Sequence, residues 1–193
     1  MDRQCEIRRT VEKEILHLYG QSQDASGRAK LARLRNSIGK SDMVGTYPFL
    51  FEILPESLLG RGRYLSDEER AVVCSLQLYA LLQQGRAECV HIRNEKYQNL
   101  GTTLSRLRGG ESKAIDRRFN SMVLADTGEE FLIQLRYLLK LFKSKDKLGT
   151  LDFSQLSSDI YCFIHWEKGK NEIRLNWSRE YYRHNEKGEE NDD

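Results

Sequence analysis

The scarcity of proline is the feature that most constrains how this chain can fold. Its 193 residues include two prolines, Pro48 and Pro55, and both lie in one short stretch. Proline interrupts helices because it lacks a backbone N–H and its ring clashes with the preceding turn. So few interruptions suit long helices and argue against a β-sandwich, which needs many turns. Hydrophobic residues at 39% and charged residues at 31% indicate helices with long solvated faces.

Apolar residues recur at helical spacing along most of the chain. The first run places Ile7, Val11 and Ile15 on one face of a helix over residues 5–19. The same pattern predicts further helices over residues 29–38, 48–54, 67–83, 100–107, 113–124, 128–143, 153–164 and 173–181. We therefore predict an all-α protein. It is a compact helical bundle of about six to nine helices, with either one core or two small lobes sharing one.

The helix over 67–83 has the clearest start. Ser66 followed by Glu69 is the pattern of a capping box, in which each side chain accepts the backbone N–H of the other. The helix that follows is apolar on nearly all sides, which is typical of a buried helix. We predict it as the central core helix.

Three aspartates could be imagined as a metal cluster: Asp126, Asp152 and Asp159. Capping and solvation account for them better, because Asp126 or its neighbour Thr127 can cap the helix over 128–143. Asp152 can cap the next helix in the same way. We therefore expect no metal site.

The sequence offers no constellation typical of an active site. Its four histidines are far apart, and none belongs to an H-E-x-x-H motif. Its four cysteines form no C-x-x-C pair, and Cys74 and Cys162 lie in apolar helical runs, as buried reduced thiols do. Neither Gly60–Gly62 nor Gly109–Gly110 has the lysine and strand context of a phosphate loop. We expect no enzyme activity and no cofactor.

The start of the chain and its hydropathy bear on location. No N-terminal apolar segment resembles a signal peptide. No apolar run is long enough to cross a bilayer. We expect a cytoplasmic protein without membrane contacts.

Basic residues concentrate in two parts of the chain. Residues 101–148 hold ten basic and six acidic residues, a local net charge of +4. Within them Arg136, Lys140 and Lys143 lie at i, i+4 and i+7, on one stripe of a helix. Residues 28–40 contain five cations and no acid. Such stripes can follow a phosphate backbone, but a solvated helix face with ion pairs accounts for the same spacing, so the residues alone leave both interpretations open.

Five elements, in order, resemble the CasB family, which is the small subunit of the type I-E CRISPR surveillance complex known as Cascade. The first is Gly27–Arg35, similar to an element near the start of CasB proteins. The others are Leu100–Arg108, Asp116–Phe119 with Leu135–Leu139, Leu151–Leu156, and Trp177–Tyr182, which resembles the closing W-x-x-x-[FY]-[FY] of the family. One departure is Asn36, which stands where the family often has another arginine.

The resemblance implies a small, helical, non-catalytic subunit that is present in two copies in the complex. Its implied partners are guide RNA, target DNA, other Cascade subunits and a second copy of itself. In antiviral defence it would hold the guide–target duplex and the displaced DNA strand. The contacts would be to nucleic-acid backbone, because base pairing supplies the specificity of such complexes. The chain also shows no aromatic strand motif of a base-reading RNA module.

Ten residues are candidate nucleic-acid contacts. The resemblance carries over Arg35, Arg106, Arg117, Arg118 and Arg136. Lys140 and Lys143 extend the stripe by spacing, and the same basic runs add Arg33, Arg108 and Lys113. Arg117 and Arg118 point about 100° apart on a helix. We expect one of them to contact nucleic acid and the other to pair with an acid or a neighbouring subunit.

The domain organisation follows from the same elements. We predict an N-terminal helix and linker over 1–26, a CasB-like helical domain over 27–182, and a disordered acidic tail over 183–193. Residues 186–193 hold five acids and one lysine, a net of −4, which leaves +6 for the rest of a chain whose total is +2. A helical protein-interaction module without nucleic-acid binding is the alternative function.

Overall fold

A computed structural model describes residues 2–40, 43–93, 99–108, 112–146 and 149–183. Over these ranges the protein forms nine α-helices, two short 3-10 helices and no β-strand, which confirms the all-α prediction. The α-helices are α1 (Arg3–Gly20), α2 (Ala25–Ser37), α3 (Tyr47–Ile53), α4 (Asp67–Gln83), α5 (Leu100–Ser105), α6 (Ser112–Val123), α7 (Gly128–Lys145), α8 (Phe153–His165) and α9 (Glu167–Tyr182). The 3-10 helices are Val44–Thr46 and Glu56–Leu58.

Helix α4 lies at the centre, as its apolar sequence predicts. It packs against α1, α2, α7 and α8. The capping box is present: Ser66 Oγ accepts the Glu69 N–H at 3.2 Å, and Glu69 Oε2 accepts the Ser66 N–H at 2.7 Å. Glu69 Oε1 also accepts the Gly60 N–H at 2.8 Å, so one buried carboxylate fixes both the helix start and the loop before it.

The other helices add to the same core. Helix α8 packs against α1, α4 and α9, α5 packs against α9, and α6 packs against α7. Their buried apolar side chains form one continuous cluster that runs from Ile7 to Tyr181. The described residues therefore share one core, and α1 belongs to it through Ile7, Val11 and Ile15.

Three close contacts join α9 to its neighbours. Trp177 is buried, and its Nε1–H donates to Asp159 Oδ2 at 2.9 Å. A Cβ added at Gly101 of α5 would stand 2.1 Å from the Trp177 carbonyl oxygen, so only glycine allows α5 to approach this closely. Tyr181 is buried and stacks on Phe119 of α6 at 3.8 Å between ring centroids.

The remaining predictions concern helix ends and the tail. Thr127, not Asp126, caps α7, because its Oγ1 accepts the Glu130 N–H at 3.1 Å. Asp152 caps α8 as predicted, and its Oδ1 accepts the Gln155 N–H at 2.9 Å. The predicted acidic tail lies outside the described residues from residue 184 onward, so its disorder stays a prediction.

Candidate nucleic-acid interface

A basic groove lies along α6 and α7. These two helices pack against each other and are joined by the short segment 124–127. The groove has a volume of about 520 Å³. Its lining residues are Arg118, Gln134, Tyr137, Lys140, Leu141 and Ser144. We call this feature the α6–α7 groove.

The charge of the α6–α7 groove comes from one cation on each helix. Arg118 of α6 and Lys140 of α7 are both exposed. In the part of the chain that the structure describes, neither side chain has a hydrogen bond or an ion pair with another residue. None of the six described lining residues is acidic. The groove therefore presents two solvated cations that an anion can reach.

The predicted stripe on α7 is divided by the packing of that helix. Lys140 faces the groove, whereas Arg136 and Lys143 turn toward the protein. Arg136 Nη1 donates to the Ile38 carbonyl at 3.2 Å, and Lys143 Nζ donates to the Leu81 carbonyl at 2.7 Å. Both carbonyls lie at helix C-termini, where cations are stabilising.

Arg86 completes this inward-facing set. Its Nη2 donates to the carbonyls of Asp146 at 2.9 Å and Lys143 at 3.3 Å, at the C-terminus of α7. Burial lowers the pKa of Lys143, and the charges of Arg86 and Arg35 lower it further. Arg35 is thus close enough to interact with Lys143, although it belongs to α2. Several cations therefore meet where α2, α4 and α7 come together, and most of them bond to carbonyl oxygens at helix C-termini.

Arg108 is also engaged within the protein. Its Nε lies 3.2 Å from Asp116 Oδ1, and its guanidinium lies over the rings of Tyr181 and Tyr182 at 5.4 and 4.9 Å. Asp116 in turn accepts the hydroxyl of Tyr181 at 2.8 Å. These contacts join the end of α5 to α6 and α9. Arg106 is more open, with 42% of its side chain exposed and Asp146 Oδ2 4.0 Å from its Nη1.

The last three candidates are exposed. Arg117 and Lys113 lie on α6, where Arg117 Nε donates to the Lys113 carbonyl at 3.3 Å. Arg33 is exposed on α2. Neither Arg117 nor Arg118 pairs with an acid in the described ranges, so the expected division between these two arginines is not seen within one chain.

The sequence interpretation missed two residues. Tyr137 lines the α6–α7 groove and is 57% exposed. Its position off the apolar face of α7 was the signal that could have found it, because Leu135, Leu138 and Phe142 mark that face. Arg86 had no such signal, since its role depends on the end of α7 lying beside it.

Two buried side chains outside the groove make hydrogen bonds that stabilise the fold. His91 Nδ1 accepts the Phe153 N–H at 3.2 Å, and burial lowers the pKa of this imidazole. Asp159 Oδ1 accepts a hydrogen bond from the side-chain amide Nε2–H of Gln155 at 2.7 Å. Across the ranges given above, no three His, Cys, Asp or Glu side chains are grouped to hold a metal ion. No helix within those ranges has the length and hydropathy needed to cross a membrane.

Comparison with known proteins gives two matches. The model of the family described as CRISPR-associated protein Cse2 matches residues 30–182. The crystal structure of CasB from Thermobifida fusca is similar in fold, with a TM-score of 0.75 and 22% identity over 92% of this chain and 98% of that chain. No curated protein sequence matches this chain. Because the family model spans more than half of its residues, this chain belongs to the CRISPR-associated Cse2 family, as its resemblance to CasB proteins predicts.

Proposed function

We propose that this chain is the non-catalytic small subunit of a type I-E Cascade complex and that it binds nucleic-acid backbone without sequence specificity. Membership of the Cse2 family implies a subunit of a CRISPR Cascade complex. In that setting it would contact guide RNA, target DNA, other Cascade subunits and a second copy of itself in the cytoplasm. Its role would be to stabilise the guide–target duplex and the displaced DNA strand.

The α6–α7 groove is the observation that supports nucleic-acid binding. Among the described residues no acid lines the groove beside Arg118 and Lys140, so no carboxylate there competes with a polyanion for these two cations. An arginine can grip a phosphate through two parallel N–H bonds, while a lysine acts as a point charge. Contacts of this kind position a strand without reading its sequence.

The ten candidate residues fall into two groups, according to whether the charged side chain is exposed or is half-buried or bonded within the protein. Five have exposed side chains without an acid partner within the described residues: Arg33, Lys113, Arg117, Arg118 and Lys140. We propose these as the primary phosphate contacts. The other five are Arg35, Arg106, Arg108, Arg136 and Lys143, and they are half-buried or bonded within the protein. Their bonds to carbonyls and carboxylates compete with phosphate, so we propose them as secondary contacts.

The salt dependence of binding tests this proposal. For the full chain with labelled single-stranded DNA, the logarithm of affinity falls linearly with the logarithm of salt concentration. For single-stranded DNA, removing one phosphate-binding cation lowers the magnitude of this slope by about 0.7. Arg118→Ala with Lys140→Ala is expected to lower it by roughly 1.4, because two such cations are removed.

A matched control removes two cations from another surface. Arg9 and Lys13 are exposed on α1, which packs against α2, α4 and α8, and neither is among the residues that line the α6–α7 groove. Arg9→Ala with Lys13→Ala makes the same change in net charge and is expected to leave the slope nearly unchanged. Equal slopes for the groove variant and the wild type would show that the groove does not bind phosphate.

The protein-interaction module remains the second candidate function. Leu124, in the segment that joins α6 to α7, and Ile133, in the first half of α7, are exposed, and such apolar positions suit a protein partner. Under this alternative the wild-type chain binds no single-stranded or duplex DNA even at low salt. That result would exclude backbone binding by the isolated chain.

A further inference from the structure

The ring of Tyr137 is free to stack. It is 57% exposed in the middle of α7, where the neighbouring Leu138 and Leu139 are buried. Within the described residues its ring enters no aromatic pair and lies under no cation, in contrast to Tyr182, which contacts Phe119 and Arg108. Tyr137 therefore presents an open aromatic face to the solvent.

The surroundings of Tyr137 favour a nucleobase over an apolar protein group. Arg118 and Lys140 line the same groove, so the phosphates of a strand whose base stacks on Tyr137 would lie near cations. Gln134 and Ser144 add neutral hydrogen-bonding groups, and Leu141 is the one aliphatic side chain among the six lining residues. An aromatic ring beside unpaired cations is the arrangement by which proteins bind single strands without reading their sequence.

We propose that Tyr137 is a base-stacking residue for single-stranded DNA, with Arg118 and Lys140 binding the flanking phosphates. This inference rests on the proposed function and adds to it a preference for the unpaired strand. A base within a duplex is already stacked on its neighbours, so its face cannot reach Tyr137. The groove then distinguishes displaced single-stranded DNA from duplex DNA, although both carry phosphates.

Substitution at Tyr137 tests the stacking. Tyr137→Leu keeps an apolar group of similar burial but removes the ring, while Tyr137→Phe keeps the ring and removes the hydroxyl. Affinity of the full chain for a thymidine homopolymer is measured by fluorescence anisotropy. Tyr137→Leu is expected to weaken binding by roughly 5- to 150-fold, the range that base–aromatic stacking supports, and Tyr137→Phe to leave it unchanged. Neither variant is expected to change the salt slope, because both keep every phosphate-binding cation.

An oligonucleotide with the same phosphates but without bases separates stacking from backbone binding. The wild type is expected to bind this abasic strand more weakly than the thymidine strand, and Tyr137→Leu to bind both equally. Equal affinity of wild type and Tyr137→Leu for the thymidine strand would overturn the stacking role and leave the proposed function standing. A wild type that binds neither strand at low salt would overturn both. If circular dichroism shows that Tyr137→Leu has lost helicity, the test uses the wild type alone. Equal affinity of the wild type for the thymidine and abasic strands would then refute stacking.

Discussion

Replacing Asp159 by asparagine is expected to remove a pH-dependent penalty from the core. This carboxylate is 2% exposed on α8 and accepts N–H bonds from Trp177 and Gln155 at 2.9 and 2.7 Å. Burial raises its pKa to about 6, although both hydrogen bonds act in the opposite direction. The fold therefore holds this group in an environment where its charged form is disfavoured.

The sign and size of the effect follow from that pKa. The unfolded chain releases the proton near the ordinary value of 3.8, and the folded chain releases it near 6. Between these values the folded state holds more of the proton, so the free energy of unfolding decreases as pH rises. The difference between the two pKa values corresponds to about 3 kcal/mol of stability. The protein has all of this stability below the unfolded pKa and none of it above the folded pKa.

Asparagine has the same shape, keeps an oxygen to accept the Trp177 N–H, and does not titrate. Urea unfolding of wild type and Asp159→Asn, followed by far-UV circular dichroism, gives both free energies of unfolding from about pH 4 to about pH 7. The free energy of unfolding of Asp159→Asn, relative to that of the wild type, is expected to increase by roughly 2 to 3 kcal/mol as pH rises across this range. Asp126→Asn, the same change at an exposed position, is the control and is expected to show no such shift. Parallel curves for wild type and Asp159→Asn would refute the reasoning.

Two further substitutions test packing and the divided stripe. Gly101→Ala places a Cβ 2.1 Å from the Trp177 carbonyl and is expected to lower stability by about 3 kcal/mol or more, as thermal unfolding would show. Gly20→Ala, whose Cβ meets nothing within 4 Å, is the control and is expected to stay within about 1 kcal/mol of wild type. Lys143→Met removes a bond within the protein, so it is expected to change stability by about 1 kcal/mol and to lower the salt slope of DNA binding by less than Lys140→Ala does. A slope lowered as much as by Lys140→Ala would mean that Lys143 faces the nucleic acid.

The helices of this protein could be predicted because their signals are local. The capping box at Ser66 and Glu69 marks the start of α4, and the predicted range 67–83 coincides with Asp67–Gln83. The apolar positions Ile7, Val11 and Ile15 are all buried, as their spacing predicts. Such agreement is expected because amphipathic periodicity and caps depend on residues within a few positions of each other.

The candidate site was only partly predictable. The sequence identified both cations of the α6–α7 groove, Arg118 and Lys140, as potential contacts. It could not show that they lie in one groove, because they are on different helices whose packing brings them together. It also treated Tyr137 as part of a motif, whereas its exposure depends on which face of α7 the core leaves uncovered.

The sequence alone predicts a helical bundle of the CasB type, the approximate positions of its helices and an excess of cations over residues 101–148. Only the tertiary structure decided which of those cations are available. Arg136 and Lys143 share a stripe with Lys140, yet they bond to the carbonyls at the ends of α2 and α4. The physical reason is that a helix C-terminus has carbonyls without partners, and a cation carried to it by another helix satisfies them. The position of such a helix end relative to another helix depends on how distant parts of the chain pack. The spacing of residues along the sequence does not show this packing.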